Sequence, residues 1–522
     1  MHTGSCLIGI DVGGTAVKVA LFDTVGRMIH LYARDIPVQA ARPGWAEIDP
    51  QEWLAAIAQG VRDVVERADL PPSQIAGIGL SSMIGTLTLL DGTWRPLRPA
   101  ITYYDTRSAA EAEWMLSRAP EIPEVTGNRV SPGNTSLASA LWVRRHEPDA
   151  YARCETLAQT GTLLFGWLTG ERRVDWTQAS FVGLFDYRAM GWSALLAQKL
   201  EVDLGKLADV AAPHLSAGLS PTAAQTLGLL EGTPVALGGI DGAMASLGVG
   251  AIHVGDAFDV SGTSEMIAVC LSEPVHAPEL LGRWHIVPGV WVLIGAISTP
   301  GAALRWFRDA LYAPGGAGDR GPLYAAMTAE AETSPPGARG VVFLPHMMGE
   351  RAPIWDPHAR GVLFGLSLST TRGDIARAIM EGAAYAMRHL IELIEAYGDV
   401  SVRRVITVGG ASRNRLWRQI KADVWDAELL TPWVQEASAL GAAMTAGVAV
   451  GLYADYEDAV RRAVPAPGER VAPDASRHEL YAHPYGVYRR LYPALSETMR
   501  AAALGLGEHR DAGALSTGGE DD

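Results

Sequence analysis

Two carboxylates at the ends of apolar runs, Asp11 and Asp241, and two glycine–threonine turns carry the chemistry this chain can do. The first turn sits in Ile8 to Asp23, IGIDVGGTAVKVALFD, where an apolar run ends at Asp11 and Val17, Val19 and Leu21 then alternate as in a half-buried strand. Between them Gly13-Gly14-Thr15 predicts a tight strand–turn–strand hairpin whose uncovered amides can close on an anion. A carboxylate beside such amides and a hydroxyl has the parts to hold Mg²⁺ and phosphate together, although an ordinary Gly-Gly hairpin with a surface Asp has the same signature. No GxxxxGK[ST] run occurs, and the one GxGxxG match, Gly316 to Gly321, does not follow a strand-like run, which sets aside the P-loop and dinucleotide folds.

Asp259 to Ser264, DVSGTS, nearly copies DVGGTA of Asp11 to Ala16 and again lies between strand-like runs. Two such copies, one in each half, predict two related domains that each offer a phosphate-holding turn, an arrangement for nucleotide kinases rather than dehydrogenases. Thr233 to Asp241, TPVALGGID, runs an apolar strand into Gly238-Gly239 and delivers Asp241 to the start of a small-residue helix. There it can accept from helix N-terminal amides and from a substrate hydroxyl. Asp105 and Arg107 stand at a strand-to-helix junction, where they suit either hydroxyl binding in a cleft or a plain N-cap with a surface Arg. Gly409-Gly410 and Asn414 lie at another such junction, open enough for a flat base, though a simple strand–helix turn needs the same residues.

The elements that must position these groups follow from periodicity. Asp49-Pro50 with Glu52 predicts a capped helix with Trp53, Ile57, Val61 and Val64 on one face. Asp374 to Ala396 reads as a long amphipathic helix, and Leu157 to Leu168 as a helix. Ala437 to Ala454 is uncharged but rich in Ala and Gly, so it reads as a buried helix rather than a membrane span. With 522 residues, two large domains are expected, 1–250 and 251–490, followed by a Gly- and Asp-rich tail at 504–522 expected to be disordered. A net charge of −15 argues against broad nucleic-acid or anionic-membrane surfaces. Three scattered cysteines and no signal core point to a reducing, cytoplasmic setting.

With these residues in view the chain resembles the FGGY family of carbohydrate kinases, in the actin-like ATPase superfamily, and its xylulokinase-type members most. PGWAEIDPQEW from Pro43, LRPAITYYDTR from Leu97, GGIDGA from Gly238, SGTS from Ser261, FLPHMMGERAPIWDPHARG from Phe343, GGASRNRLWRQIKADV from Gly409 and ALGAA from Ala439 carry the likeness in family order. The resemblance implies an α/β fold of two ribonuclease-H-like domains around a central cleft. It implies ATP and Mg²⁺ as cofactors, Asp241 as catalytic base and Asp11 as the metal-organising residue. Gly14, Thr15, Gly262 and Thr263 would meet the phosphates and Gly410 and Asn414 the adenosine, with Gly13, Lys18, Gly301 and Gly409 completing the ATP site. One departure stands out: where xylulokinases carry a Met-His pair, ungapped reading places Ile84 and Gly85, so a roomier, less polar pocket is expected there. Ile84, Gly85, Asp105, Arg107 and Asp241 are the expected substrate residues. Xylulose leads among the expected acceptors, followed by another pentulose, a polyol or a sugar acid; a non-catalytic nucleotide binder on the same scaffold is the rival from another class. The expected partners are small molecules, with a homodimer allowed and no nucleic acid or membrane.

Overall fold

The computed structural model describes residues 5–313 and 321–514, which divide into two compact units. One comprises Met1–Val254, Cys270–Val292 and Trp433–Ala466; the other comprises Gly255–Val269, Leu293–Pro432 and Pro467–Asp522.

In the first unit, β1 (Cys6–Val12), β2 (Ala16–Asp23), β3 (Met28–Asp35), β4 (Ile75–Ser82), β5 (Ser216–Gly218) and β6 (Pro234–Ile240) form one sheet of order β5-β6-β4-β1-β2-β3. The expected hairpin is β1–β2, antiparallel from Cys6 opposite Asp23 to Val12 opposite Val17. β4 lies parallel to β1, and β6 parallel to β4. The helix Pro50–Arg67 covers one face, its Trp53, Ile57, Val61 and Val64 buried with Ile8, Ile10, Val17 and Val19. Asp49 caps it, accepting from Gln51 N–H at 3.0 Å, while Glu52, expected to complete a capping box, pairs with Arg34 instead.

The other face takes the helix Ala437–Ala449, and here backbone meets backbone. A β-carbon on Gly9 would lie 1.9 Å from Ala439 O, and one on Gly79 1.8 Å from Ala442 O. Gly441 and Gly248 play the same part where this helix crosses the helix Asp241–Gly248. Glycines on adjacent strands thus make a groove that only a small-residue helix fits. That is why Trp433–Ala466 belongs with the first unit, and why the expected single boundary at residue 250 does not divide the chain into these units.

In the second unit, β7 (Ala257–Ser261), β8 (Glu265–Leu271), β9 (Trp291–Ile297), β10 (Arg404–Val408), β11 (Glu428–Thr431) and β12 (Glu469–Val471) are ordered β9-β8-β7-β10-β11-β12. β7–β8 is an antiparallel hairpin, β10 is parallel to β7, β11 parallel to β10, and β12 antiparallel to β11. The first unit repeats that scheme with β1–β2, β4, β6 and antiparallel β5. The repeat seen in two short motifs therefore extends over whole sheets. The long amphipathic helix runs Arg372–Gly398 behind a Thr371/Asp374 capping box.

Two expectations are corrected. Leu157 lies in a short strand, Thr156–Ala158, and the helix begins only at Thr160. The tail expected to be disordered from residue 504 begins as the end of the helix Ala475–Ala514, because Ala and Leu propagate a helix across isolated glycines; residues 515–522 lie outside the described residues.

β6 is braced at its end by a buried turn. Asp175 caps the helix Trp176–Ala179, accepting from Thr177 N–H (2.8 Å), Gln178 N–H (3.1 Å) and the Thr177 hydroxyl. Thr177 Oγ1 in turn accepts from Ile240 N–H at 3.0 Å, one residue before Asp241. Burial pushes the Asp175 carboxyl up to about 7, against the hydrogen bonds it receives.

Two outcomes are expected. Gly79→Val should destabilise the protein by about 3 kcal/mol or more, read as a lowered urea midpoint, because nothing but backbone lies where the new side chain must go. An unchanged midpoint would refute the close packing. For Asp175, the native state holds a proton that an unfolded carboxyl releases near its ordinary 3.8, so its contribution to stability falls as pH rises from about 4 to about 7. Asp175→Asn keeps the cap and lacks that loss. Relative to wild type, the variant should gain about 2–3 kcal/mol between pH 5 and pH 8 in urea melts, whereas an equal gap at both pH values would contradict the assignment.

Candidate active site

The acids of the two hairpins are held in the same way. In the first unit Asp11 lies opposite Ser81 on the parallel strand β4, and the Ser81 hydroxyl donates to Asp11 Oδ1 at 2.6 Å. In the second, Asp259 lies opposite Thr407 on β10, and the Thr407 hydroxyl donates to Asp259 Oδ2 at 2.7 Å. Beyond this the copies part. The ammonium of Lys421 reaches Asp259 Oδ2 at 3.1 Å and also bonds Ser261 and Glu265, all of it buried. Although burial disfavours its charge, Asp259 and Glu265 outweigh that and hold the Lys421 ammonium above its usual range. A lysine thus occupies the place of a cation at Asp259. Among the described residues no such partner bonds Asp11, whose cross-strand neighbour Lys18 is tied to Glu436 at 2.7 Å.

Asp241 is delivered by a bulge. The β4–β6 register shifts between Ala236 and Gly239, and Gly238 there takes φ +75°, with a β-carbon position only 1.8 Å from Leu80 O. The re-aimed strand end places Asp241 on the first turn of the helix Asp241–Gly248, where Oδ1 accepts from Gly242 N–H at 2.7 Å. Asp11 and Asp241 repel one another. Burial, then the charge of Asp241, pushes Asp11 up to about 7; burial raises Asp241 too, opposed by the Gly242 amide and by Arg283. Two carboxyls that are both raised and feel each other form a pair that a cation or an acceptor's proton can satisfy.

The first turn carries Gly13, whose N–H bonds Ala16 O at 2.9 Å, with Gly14 and exposed Thr15. Tyr103 donates to Tyr104 at 2.5 Å, and the two hydroxyls lie so close over Gly14 that a β-carbon would come within 2.8 Å of the Tyr104 oxygen. Burial, the Tyr104 hydroxyl and the Asp241 charge keep the Tyr103 phenol protonated.

In the second unit a cavity of about 970 Å³ is lined by Gly262, Thr263, Gly301, Gly410 and Asn414 together with Leu304, Arg305, Tyr324, Thr328 and Trp417. Gly301 heads the helix Pro300–Phe307 against the hairpin, where a β-carbon would lie 2.1 Å from Gly262 O. Gly409 takes φ +99° beside Ser261 O, and Gly410 faces open space. Arg305 donates to Thr263 Oγ1 at 3.0 Å, which sets a guanidinium beside the turn. Asn414 caps the next helix, accepting from Trp417 N–H at 3.1 Å and donating to Thr328 at 2.8 Å, so its amide is mostly engaged in shaping the wall.

Several expected substrate residues have other work. Asp105 is fully buried, accepting from Ala46 N–H at 2.6 Å and from Arg107 through both oxygens. Arg107 also bonds Glu47 (2.7 Å) and stacks 3.5 Å over the Trp45 ring. The pair is a saturated ion network, not an open hydroxyl-binding couple. Gly85 is no roomy spot either: at φ +59° its β-carbon position is 2.7 Å from Asn134 O, so backbone fills the space where room was expected, while Ile84 packs half-buried on the core. Reading the sequence missed Ser81, Tyr103, Tyr104, Arg283, Arg305 and Lys421. Ser81 and Arg305 had a signal, a parallel-strand register and one helical turn beyond Gly301; the others meet the site only through contacts remote in sequence.

Residues 6–248 match the N-terminal domain, and residues 258–450 the C-terminal domain, of the FGGY family of carbohydrate kinases. The xylulose kinase of Escherichia coli (strain K12) is 30% identical over 498 residues, 94% of this chain and 99% of that protein. A gluconokinase of Bacillus subtilis (strain 168) is 29% identical over 462 residues, 86% and 88% of the two chains. The crystal structure of xylulose kinase from Rhodospirillum rubrum matches with a TM-score of 0.88 at 28% identity, over 95% of this chain and all of that one (100%). With this family's two domain models spanning most of its length, the chain belongs to the FGGY carbohydrate kinases, which pass a phosphoryl group from ATP to an alcohol of a small sugar-like acceptor.

Proposed function

We propose that the chain phosphorylates a hydroxyl of a small polyhydroxylated acceptor with ATP, xylulose and gluconate, named for its relatives, being the first acceptors to try. The observation that carries this reading is Asp241: a carboxylate at a helix start, raised by burial and placed within the field of Asp11. Such a group takes the acceptor's proton as the oxygen attacks the γ-phosphorus and the bridging bond to ADP breaks. The hairpin amides of Gly14, Thr15 and Thr263 suit phosphate oxygens, those of Gly13 and Gly262 being spent within the turns, and the second unit's cavity has the size and mixed lining for a nucleoside.

Asp11 fits Mg²⁺. One of its oxygens is fixed by Ser81, and among the described residues no hydrogen bond reaches the other. No cluster of three or more metal-ligating side chains occurs among the described residues, which accords with an ion that binds through one carboxylate, water and substrate phosphates. Bound there, Mg²⁺ would neutralise phosphate charge.

Asp241→Asn should lower kcat by about 10²–10⁴-fold and leave ATP affinity nearly intact; near-normal turnover would remove the base assignment. Because Asp11 holds a proton up to about 7, Mg²⁺ must displace it, so ion affinity should rise roughly tenfold from pH 6 to pH 8 in calorimetric titrations with a non-hydrolysable ATP analogue. Asp11→Asn should abolish that dependence, and a pH-independent affinity in wild type would speak against Asp11 as ligand. ADP release measured across ketoses, polyols and aldonates tests the reaction itself; no release with any of them would defeat it.

A further inference from the structure

Five lysine and arginine residues are buried as whole residues among the described residues, and four of them hold a carboxylate: Arg308 with Asp309, Arg377 with Glu381, Arg418 with Glu469, and Lys421 with Asp259 and Glu265. Arg283 is the fifth. It is 8% exposed, on the strand Leu281–Trp284 of the first unit, and its Nε is closed off from solvent with nothing to donate to. No hydrogen bond or ion pair engages its guanidinium among the described residues; it lies 4.6 Å over the Phe181 ring and within the field of Asp241.

The strand is pinned where this cation matters. Gly282 N–H donates to Gly127 O at 2.9 Å, and two residues beyond Arg283 the His285 ring meets Ser246 at 3.1 Å, on the helix that Asp241 begins. Phe181, under the guanidinium, packs in the same cluster as Ile240 and Ala243, which flank Asp241. Burial lowers the Arg283 pKa to about 10, so the group stays charged at neutral pH. A buried cation is ordinarily held by a carboxylate in direct contact, as at the other four, whereas Arg283 has a buried Nε without an acceptor and only the field of Asp241.

Arginine donates only, through a planar fork that matches a carboxylate with two parallel bonds. A ketone or hydroxyl would take one N–H and leave the charge uncompensated. We propose that Arg283 binds the carboxylate of a sugar acid, making the acceptor an aldonate rather than a neutral ketose. This rests on the kinase reading above. An aldonate carries at its two ends the groups that Arg283 and Asp241 recognise, a carboxylate and a terminal hydroxyl. The transfer leaves the carboxylate unchanged: the terminal oxygen bonds the γ-phosphorus, ADP departs, and the proton passes to Asp241.

The test compares wild type, Arg283→Met and Arg283→Lys with gluconate, a pentonate, xylulose and xylitol as acceptors. Wild type should favour an aldonate over xylulose by at least tenfold in kcat/KM. Arg283→Met should shift that ratio at least tenfold toward xylulose, chiefly through KM for the acid, and Arg283→Lys should fall between. Wild type preferring xylulose, or a ratio unmoved by Arg283→Met, overturns the assignment while leaving the kinase reading intact. Absence of ADP release with every one of these acceptors defeats both. Should Arg283→Met fail to fold, the wild-type preference and the Arg283→Lys ratio decide alone.

Discussion

Backbones that lie closer than a β-carbon permits are the constraint on which the first unit rests. Gly9 and Gly79 admit the helix Ala437–Ala449 onto the sheet, Gly441 and Gly248 let that helix cross the one begun by Asp241, and Gly238 lets β6 bulge against β4. Each removes a side chain so that an element can be aimed. Asp11 and Asp241 stand at the ends of elements aimed in this way, which is why the placement of these acids depends on residues that have no functional groups.

Close packing also creates the electrostatics. Two carboxyls in a tightly packed region lose hydration and feel each other, and their surroundings return one hydroxyl, one amide and the charges of Lys18 and Arg283. The result is a pair unsatisfied by the protein, unlike Asp105, which is saturated by Arg107 and a backbone amide. Unsatisfied and saturated acids look alike in sequence. Their surroundings leave one raised and the other fully paired.

The internal repeat shows how far a shared scaffold diverges. Strand order, parallel and antiparallel pairing and even the hydroxyl opposite the first acid recur in both units. A single buried lysine separates their chemistry: Lys421 neutralises Asp259 and braces the second hairpin beneath the nucleotide-sized cavity, whereas Asp11 keeps an oxygen for something else. One acid is neutralised in place, and the other keeps an oxygen that no hydrogen bond reaches among the described residues.

Sequence alone determined what is local. Hairpins at Gly13–Thr15 and Gly262–Thr263, the acid at the end of GGID, the Asp49 cap, the small-residue helix from Ala437 and the family all follow from patterns within a few residues, because turns, caps and strand alternation are short-range effects. Tertiary structure decided which charges have partners. That Asp105 and Arg107 neutralise each other beside Glu47 and Trp45, that backbone fills the space beside Gly85, and that Arg283 comes to Asp241 from a strand some forty residues downstream are outcomes of packing between remote segments. A charge's state depends on everything within a few ångströms, and sequence spacing does not carry that distance.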